Sequence, residues 1–169
     1  MNSINWPTQF LPGKTDNFVS NEKIISDISI NDIWANLVDT SKWESYYDNA
    51  SNIHIMEHEG SELAFGDRFK FHTFGFPIDA QVMELVEPGT DGVARISWHG
   101  WQKDASDPEN NLDVYHAFLI ETLSENRVRL LTQESQVGKP AAEMAGQTPN
   151  PMLNGHQAWL DGLVKASSK

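Results

Sequence analysis

The stretch from Thr148 to Ala166 leaves the least choice about its structure. Advancing about 100° per residue, Met152, Leu153, His156, Trp159, Leu160, Leu163 and Val164 fall on one face, and Asn154, Gln157, Ala158, Asp161 and Lys165 fall opposite. Such a pattern specifies an amphipathic helix, which must lie on an apolar surface. Thr148 is placed to cap its first turn, Pro149 and Pro151 sit where a missing N–H is harmless, and Lys165 and Lys169 lie toward its negative end. His156 stands near the middle of the apolar face. Gly155 and Gly162 flank that face, although each is about 1 kcal/mol worse than alanine in a helix. That penalty implies a need for room or for a polar contact there.

The surface that receives this helix is written in the residues before it. Segments 52–58, 67–74, 77–86, 92–101, 113–123 and 127–137 are each bounded by Gly, Pro, Asn or Asp and read as strands. Another strand precedes them between Phe18 and Ile30, where Ile24, Ser26, Ile28 and Ile30 alternate with Ile25, Asp27 and Ser29. Two short helices follow it. Asn31 heads the first, with Ile33, Trp34, Leu37 and Val38 on one face; Ser41 and Glu44 form a capping box for the second, which carries Trp43, Tyr46 and Tyr47. Residues 138–147 read as a loop. Residues 1–17, with Trp6, Pro7, Phe10, Pro12 and Gly13 and no periodicity, read as an irregular arm ahead of a single domain spanning 18–169.

Consecutive strands imply an antiparallel meander, and a strongly twisted antiparallel sheet can curl around one long amphipathic helix. The expected class is α+β: a seven-stranded antiparallel curved sheet wrapped around the C-terminal helix, with two short helices after the first strand. At 169 residues one core is sufficient.

The net charge of −12, from 24 acidic residues against 12 Lys and Arg spread along the chain, argues against nucleic acid as a partner. It also repels an anionic membrane surface, whereas a neutral lipid or aromatic molecule is indifferent to it. The absence of cysteine excludes a disulfide framework, a thiolate metal site and a cysteine nucleophile. With no signal-like N-terminus and no apolar run of about 18 residues, the expectation is a soluble, cytoplasmic protein without an integral membrane segment. His54 and His58 have chelating spacing only on a helix; on a strand their side chains stand about 13 Å apart. No metal site and no cofactor are expected, and no phosphate loop, Gly-x-Ser-x-Gly elbow or His-Glu-x-x-His run occurs.

Strand parity sorts the residues able to carry chemistry. In 92–101 the apolar phase is Ala94, Ile96 and Trp98, so Trp98 points inward. His116 shares a face with Phe118 and Ile120, and Glu134 shares one with Val128, Leu130 and Thr132. With His156 from the helix, three ionisable groups look into one largely apolar space, whose wall is completed by Phe69, Phe71, Trp98, Phe118 and Trp159. Each has a plainer reading as well: His116 as a core histidine, Glu134 as a carboxylate reaching solvent or an arginine, the tryptophans as packing. Buried carboxylates and imidazoles need partners, so these groups should meet one another, a water or a ligand.

The order strand, two short helices, six strands, long helix resembles the helix-grip superfamily. This SRPBCC group includes START domains, pollen-allergen-like proteins and polyketide cyclase/dehydrase-like proteins. The resemblance runs from about Phe18 to Ala166 and rests on the order of several stretches. They are Ile33 to Asp39, Gly66-Asp67-Arg68-Phe69, Val82 to Leu85 before Glu87-Pro88, Ile96-Ser97-Trp98, His116-Ala117-Phe118, and Thr132-Gln133-Glu134 ahead of Gly138. It implies a cavity between sheet and helix that holds a small hydrophobic molecule such as a lipid, sterol, polyketide or other aromatic compound, in a carrier or sensor. Two alternatives stay open. One is an acid–base enzyme of the cyclase/dehydrase type, with His116 and Glu134 transferring protons and His156 orienting the ligand. The other is a co-chaperone-like interaction module using its surface, including the acidic segment 102–112.

Overall fold

The computed structural model describes residues 1–104 and 106–168. Lys169, assigned above to the negative end of the last helix, lies outside them, as does Ala105 within the acidic segment. The strands are β1 (Asn17–Ser26), β2 (Ala50–Ile55), β3 (Arg68–Thr73), β4 (Phe76–Val86), β5 (Val93–Gln102), β6 (Leu112–Ser124) and β7 (Arg127–Val137). They form one seven-stranded antiparallel sheet in the order β1-β7-β6-β5-β4-β3-β2. Helices α1 (Ile30–Val38) and α2 (Trp43–Tyr46) follow β1, and α3 (Lys139–Ala145) and α4 (Pro151–Ser167) follow β7. The long helix α4 packs on β1, β7, α1 and α2. Sheet and helix close on an aromatic core in which Trp43, Trp98, Trp159, Phe69 and Phe118 are almost completely buried. Among the described residues, no helix is long and apolar enough to cross a membrane.

Several local expectations change. β1 ends at Ser26, and Asp27 turns the chain with a φ of 63°. The inward phase of β1 is Asn17, Val19, Asn21 and Ile25, while Ile24 is exposed. Polar residues occupy this inward phase because α4 offers them partners: the Asn21 amide donates to the Leu153 carbonyl at 2.9 Å and to Gln157 Oε1 at 3.1 Å. Ser29 rather than Asn31 caps α1, accepting from the Asp32 N–H. Asp39 rather than Ser41 starts the 3-10 turn that leads into α2. Asn150 rather than Thr148 caps α4, with Pro151 in the first turn. Leu153 lies on the exposed side of α4, and the expected 138–147 loop contains α3, which buries Ala141 and Met144.

The N-terminal residues cover the outer face of the sheet. Ile4 and Phe10 pack with Tyr115, Ala117, Leu119 and Leu131, a second core on the side away from α4. β6 is thereby buried on both faces from Val114 to Ile120, which explains its nearly continuous apolar run.

The two helix glycines mark close approaches. A Cβ on Gly162 would come 2.1 Å from the Tyr46 carbonyl oxygen, and one on Gly155 would come 2.2 Å from Phe74 Cζ. We expect Gly162→Ala to lower stability by about 2 kcal/mol despite its better helix propensity, because a backbone oxygen has little freedom to step aside. Urea denaturation tests this; a variant as stable as wild type would mean that α4 shifts freely on α2.

Candidate functional site

The ladder register aligns one inward row across the sheet. Val82, Trp98, His116, Glu134 and Val19 are successive partners on β4, β5, β6, β7 and β1, and all five are buried. Directly opposed residues hold their Cβ atoms about 5 Å apart, so His116 and Glu134 meet without contrivance. One turn of α4 lies above them and delivers His156, whose ring stacks on His116 with centroids 4.4 Å apart and 15° between planes.

Hydrogen bonding assigns the protons. The Thr132 hydroxyl donates to the Ala117 carbonyl at 3.0 Å, so His116 Nε2, 2.8 Å from Thr132 Oγ1, is the donor in that contact. In a neutral ring this leaves Nδ1 bare. It lies 3.2 Å from Glu134 Oε1, a contact that suits a neutral carboxyl beside a neutral ring. Electrostatics agrees. Burial pushes the Glu134 carboxyl up to about 8, partly opposed by the hydrogen bond from Gln136, and pulls His156 down to about 3. His116 is held well below its ordinary value by burial and then by its neighbour His156. At neutral pH these groups form an uncharged cluster rather than an ion pair.

A polar chain ties the cluster to the start of α4. Gln136 Nε2 donates to Glu134 Oε2, Asn17 Nδ2 to Gln136 Oε1 at 2.8 Å, and Asn150 Nδ2 to Asn17 Oδ1 at 2.7 Å. Asn150 is the cap residue of α4.

Free space of about 30 Å³ remains beside this cluster, room for about one water. Trp98, His116, Glu134, His156, Trp159 and Phe71 line it, whereas Phe69 and Phe118 stand behind the wall. Phe69 stacks on Phe71 at 5.6 Å, and Phe118 packs on Trp98 and Trp159. The wall also includes Thr73, Phe74, Gln136, Met144 and Met152, which sequence reasoning missed. Gln136 was discoverable, since it shares the parity of Glu134; Met144 was not, because α3 went unrecognised. Of the polar atoms on lining residues, His156 Nδ1 is buried without a partner, whereas the Trp159 indole lies against Tyr46 and the Thr73 hydroxyl against Tyr47.

His116, Glu134 and His156 also offer ligand atoms within 4.8 Å of one another. Each imidazole, however, aims its lone pair within its own ring plane, and two nearly parallel planes do not meet at a nearby point. The stacked rings do not converge on a shared ion.

No family model matches the sequence, and no curated protein matches it. Among solved structures, a hypothetical protein of Helicobacter pylori is 48% identical, with a TM-score of 0.94, over 99% of this chain and 97% of that one. The fold also matches norcoclaurine synthase of Thalictrum flavum, at 10% identity and a TM-score of 0.61 over 88% and 91% of the two chains. The lipid transfer and protein localization domain of human StarD13 matches at 8% identity and a TM-score of 0.61, over 89% and 76%. These two distant likenesses concern the fold alone. With a relative 48% identical across nearly its whole length, the chain belongs to the same family as that Helicobacter pylori protein, and its strand order and gripped C-terminal helix give it the helix-grip fold.

Proposed function

We propose that the protein binds a small, uncharged, largely apolar molecule between sheet and helix, as a carrier or sensor. The observation that carries this reading is the convergence of three buried polar side chains, His116, Glu134 and His156, on one space otherwise walled by Phe71, Trp98 and Trp159. Buried polar atoms without partners are unfavourable by about 1–3 kcal/mol each. A ligand carrying a hydroxyl or carbonyl would offer these side chains a partner. An anionic head is disfavoured because no Lys or Arg lines the space among the described residues. The lipid transfer domain of StarD13, built on the same fold, lends the reading support by analogy.

Trp98 and Trp159 sit in the wall, so their fluorescence should respond to occupancy. Titration with neutral lipids, flavonoids and aromatic polyketides is expected to give a saturable shift, and native mass spectrometry should detect a co-purifying molecule. No response from the whole panel, with no co-purifying mass, would refute the reading.

A second reading, proton transfer on the bound molecule, is favoured by the neutral Glu134 carboxyl against His116. Chemical analysis of the ligand after incubation separates the two: a carrier returns it unchanged. For an enzyme, His116→Ala or Glu134→Gln should lower turnover about 100-fold or more while binding persists.

A further inference from the structure

We propose that Phe74, at the tip of the β3–β4 hairpin, is the gate of this space and sets the size of molecule admitted, with Gly155 of α4 as its seat. The inference rests on the ligand-binding reading above. It begins with a conflict of scale. About 30 Å³ is free, whereas sites for drug-sized molecules occupy about 300 Å³ or more. A ligand of more than a few atoms therefore displaces part of the wall. Among the described lining residues, Phe74 alone belongs to neither a helix nor a strand. It is half-buried, at the border between the space and solvent.

Its backbone is unusual. Phe74 has a φ of 51° and Gly75 one of 76°, between the paired residues Thr73 and Phe76. Two consecutive positive φ values make the tight hairpin turn that normally takes Asn-Gly. A bulky aromatic in the left-handed region is an outlier there. Its side chain accounts for its presence. The ring lies where a side chain at position 155 would be, with Cζ 2.2 Å and Cε1 2.3 Å from the place of a Gly155 Cβ. It meets His156 edge to face at 5.8 Å. On the backbone, the Phe74 N–H donates to Asn49 Oδ1 at 2.8 Å, which latches the turn to the segment after α2. The missing Cβ of Gly155 and the left-handed Phe74 are two halves of one closure. Gly155 is a helix-weakening residue retained where the ring docks.

The test uses Nile red, a neutral hydrophobic dye, with stopped-flow fluorescence on the protein. Phe74→Asn removes the ring but suits the turn, so it should fold at least as stably as wild type. Gly155→Ala keeps the ring and denies it the seat. Wild-type association should level off with dye concentration as opening becomes limiting. Both variants should associate about tenfold faster, with rates linear in dye. If both remain folded and take up dye at the wild-type rate, Phe74 is not the gate, and the ligand-binding reading stands. If none of the three proteins binds the dye saturably, the ligand-binding reading fails and takes the gate with it.

Discussion

Replacing Glu134 by glutamine is expected to shift stability in the variant's favour by about 5 kcal/mol between pH 4 and pH 9, relative to wild type. The folded carboxyl is pushed up to about 8 from an ordinary 4.5. Between those values the native state holds a proton that the unfolded chain has released, so wild-type stability falls as pH rises and levels off above 8. Glutamine keeps the geometry of the protonated acid. Its amide takes the place of the carboxyl beside His116 and its carbonyl accepts from Gln136, with no proton to lose.

The histidines act in the opposite sense. Burial lowers His156 to about 3 from 6.5 and holds His116 well below 6.5. Below pH 6.5 the unfolded chain takes up protons that the folded rings refuse, so stability declines as pH falls. From these groups the wild-type optimum lies near pH 6.5, and Glu134→Gln should keep the acid limb while losing the alkaline one. Urea unfolding of both proteins across this pH range measures the difference. Parallel stability curves would mean that Glu134 is ionised in the folded state.

Trp159→Ala should cost about 3–5 kcal/mol, since removing a large buried side chain loses its transfer energy and leaves a cavity. Trp159 is 1% exposed. Its ring stacks on Tyr47 at 4.5 Å and meets Trp43 and Phe118 at 5.1 Å, edge on. Through these contacts α4 is bound to α2 and to the sheet at once. A domain's whole stability is about 5–15 kcal/mol, so this one change removes a large share of it. Trp159→Phe should lose much less, because phenylalanine keeps most of the buried aromatic surface. Guanidinium denaturation of the three proteins gives the comparison. A loss near 1 kcal/mol for the alanine variant would show that α4 is held chiefly elsewhere.

What the sequence determined by itself is what covalent geometry makes periodic. Side chains alternate along a strand and recur every 3.6 residues along a helix. From this alone came the existence and order of the strands, the apolar face of α4, and the inward aim of Trp98, His116 and Glu134. The same rule failed at β1, where the inward side chains are polar and are satisfied by a helix distant in sequence. It failed at the helix caps too, because Ser29 and Asn31, or Thr148 and Asn150, are equally suitable by type. The folded chain chooses by which oxygen reaches a free N–H.

Only the tertiary structure decided the register that sets His116 opposite Glu134, the depth at which His156 enters, and the docking of the N-terminal residues on the outer face. It also decided that the interior is nearly full and is closed by Phe74 over Gly155. A glycine in a helix announces that something comes near; which residue arrives depends on long-range packing between segments some eighty positions apart, and that packing leaves no periodic trace in the chain.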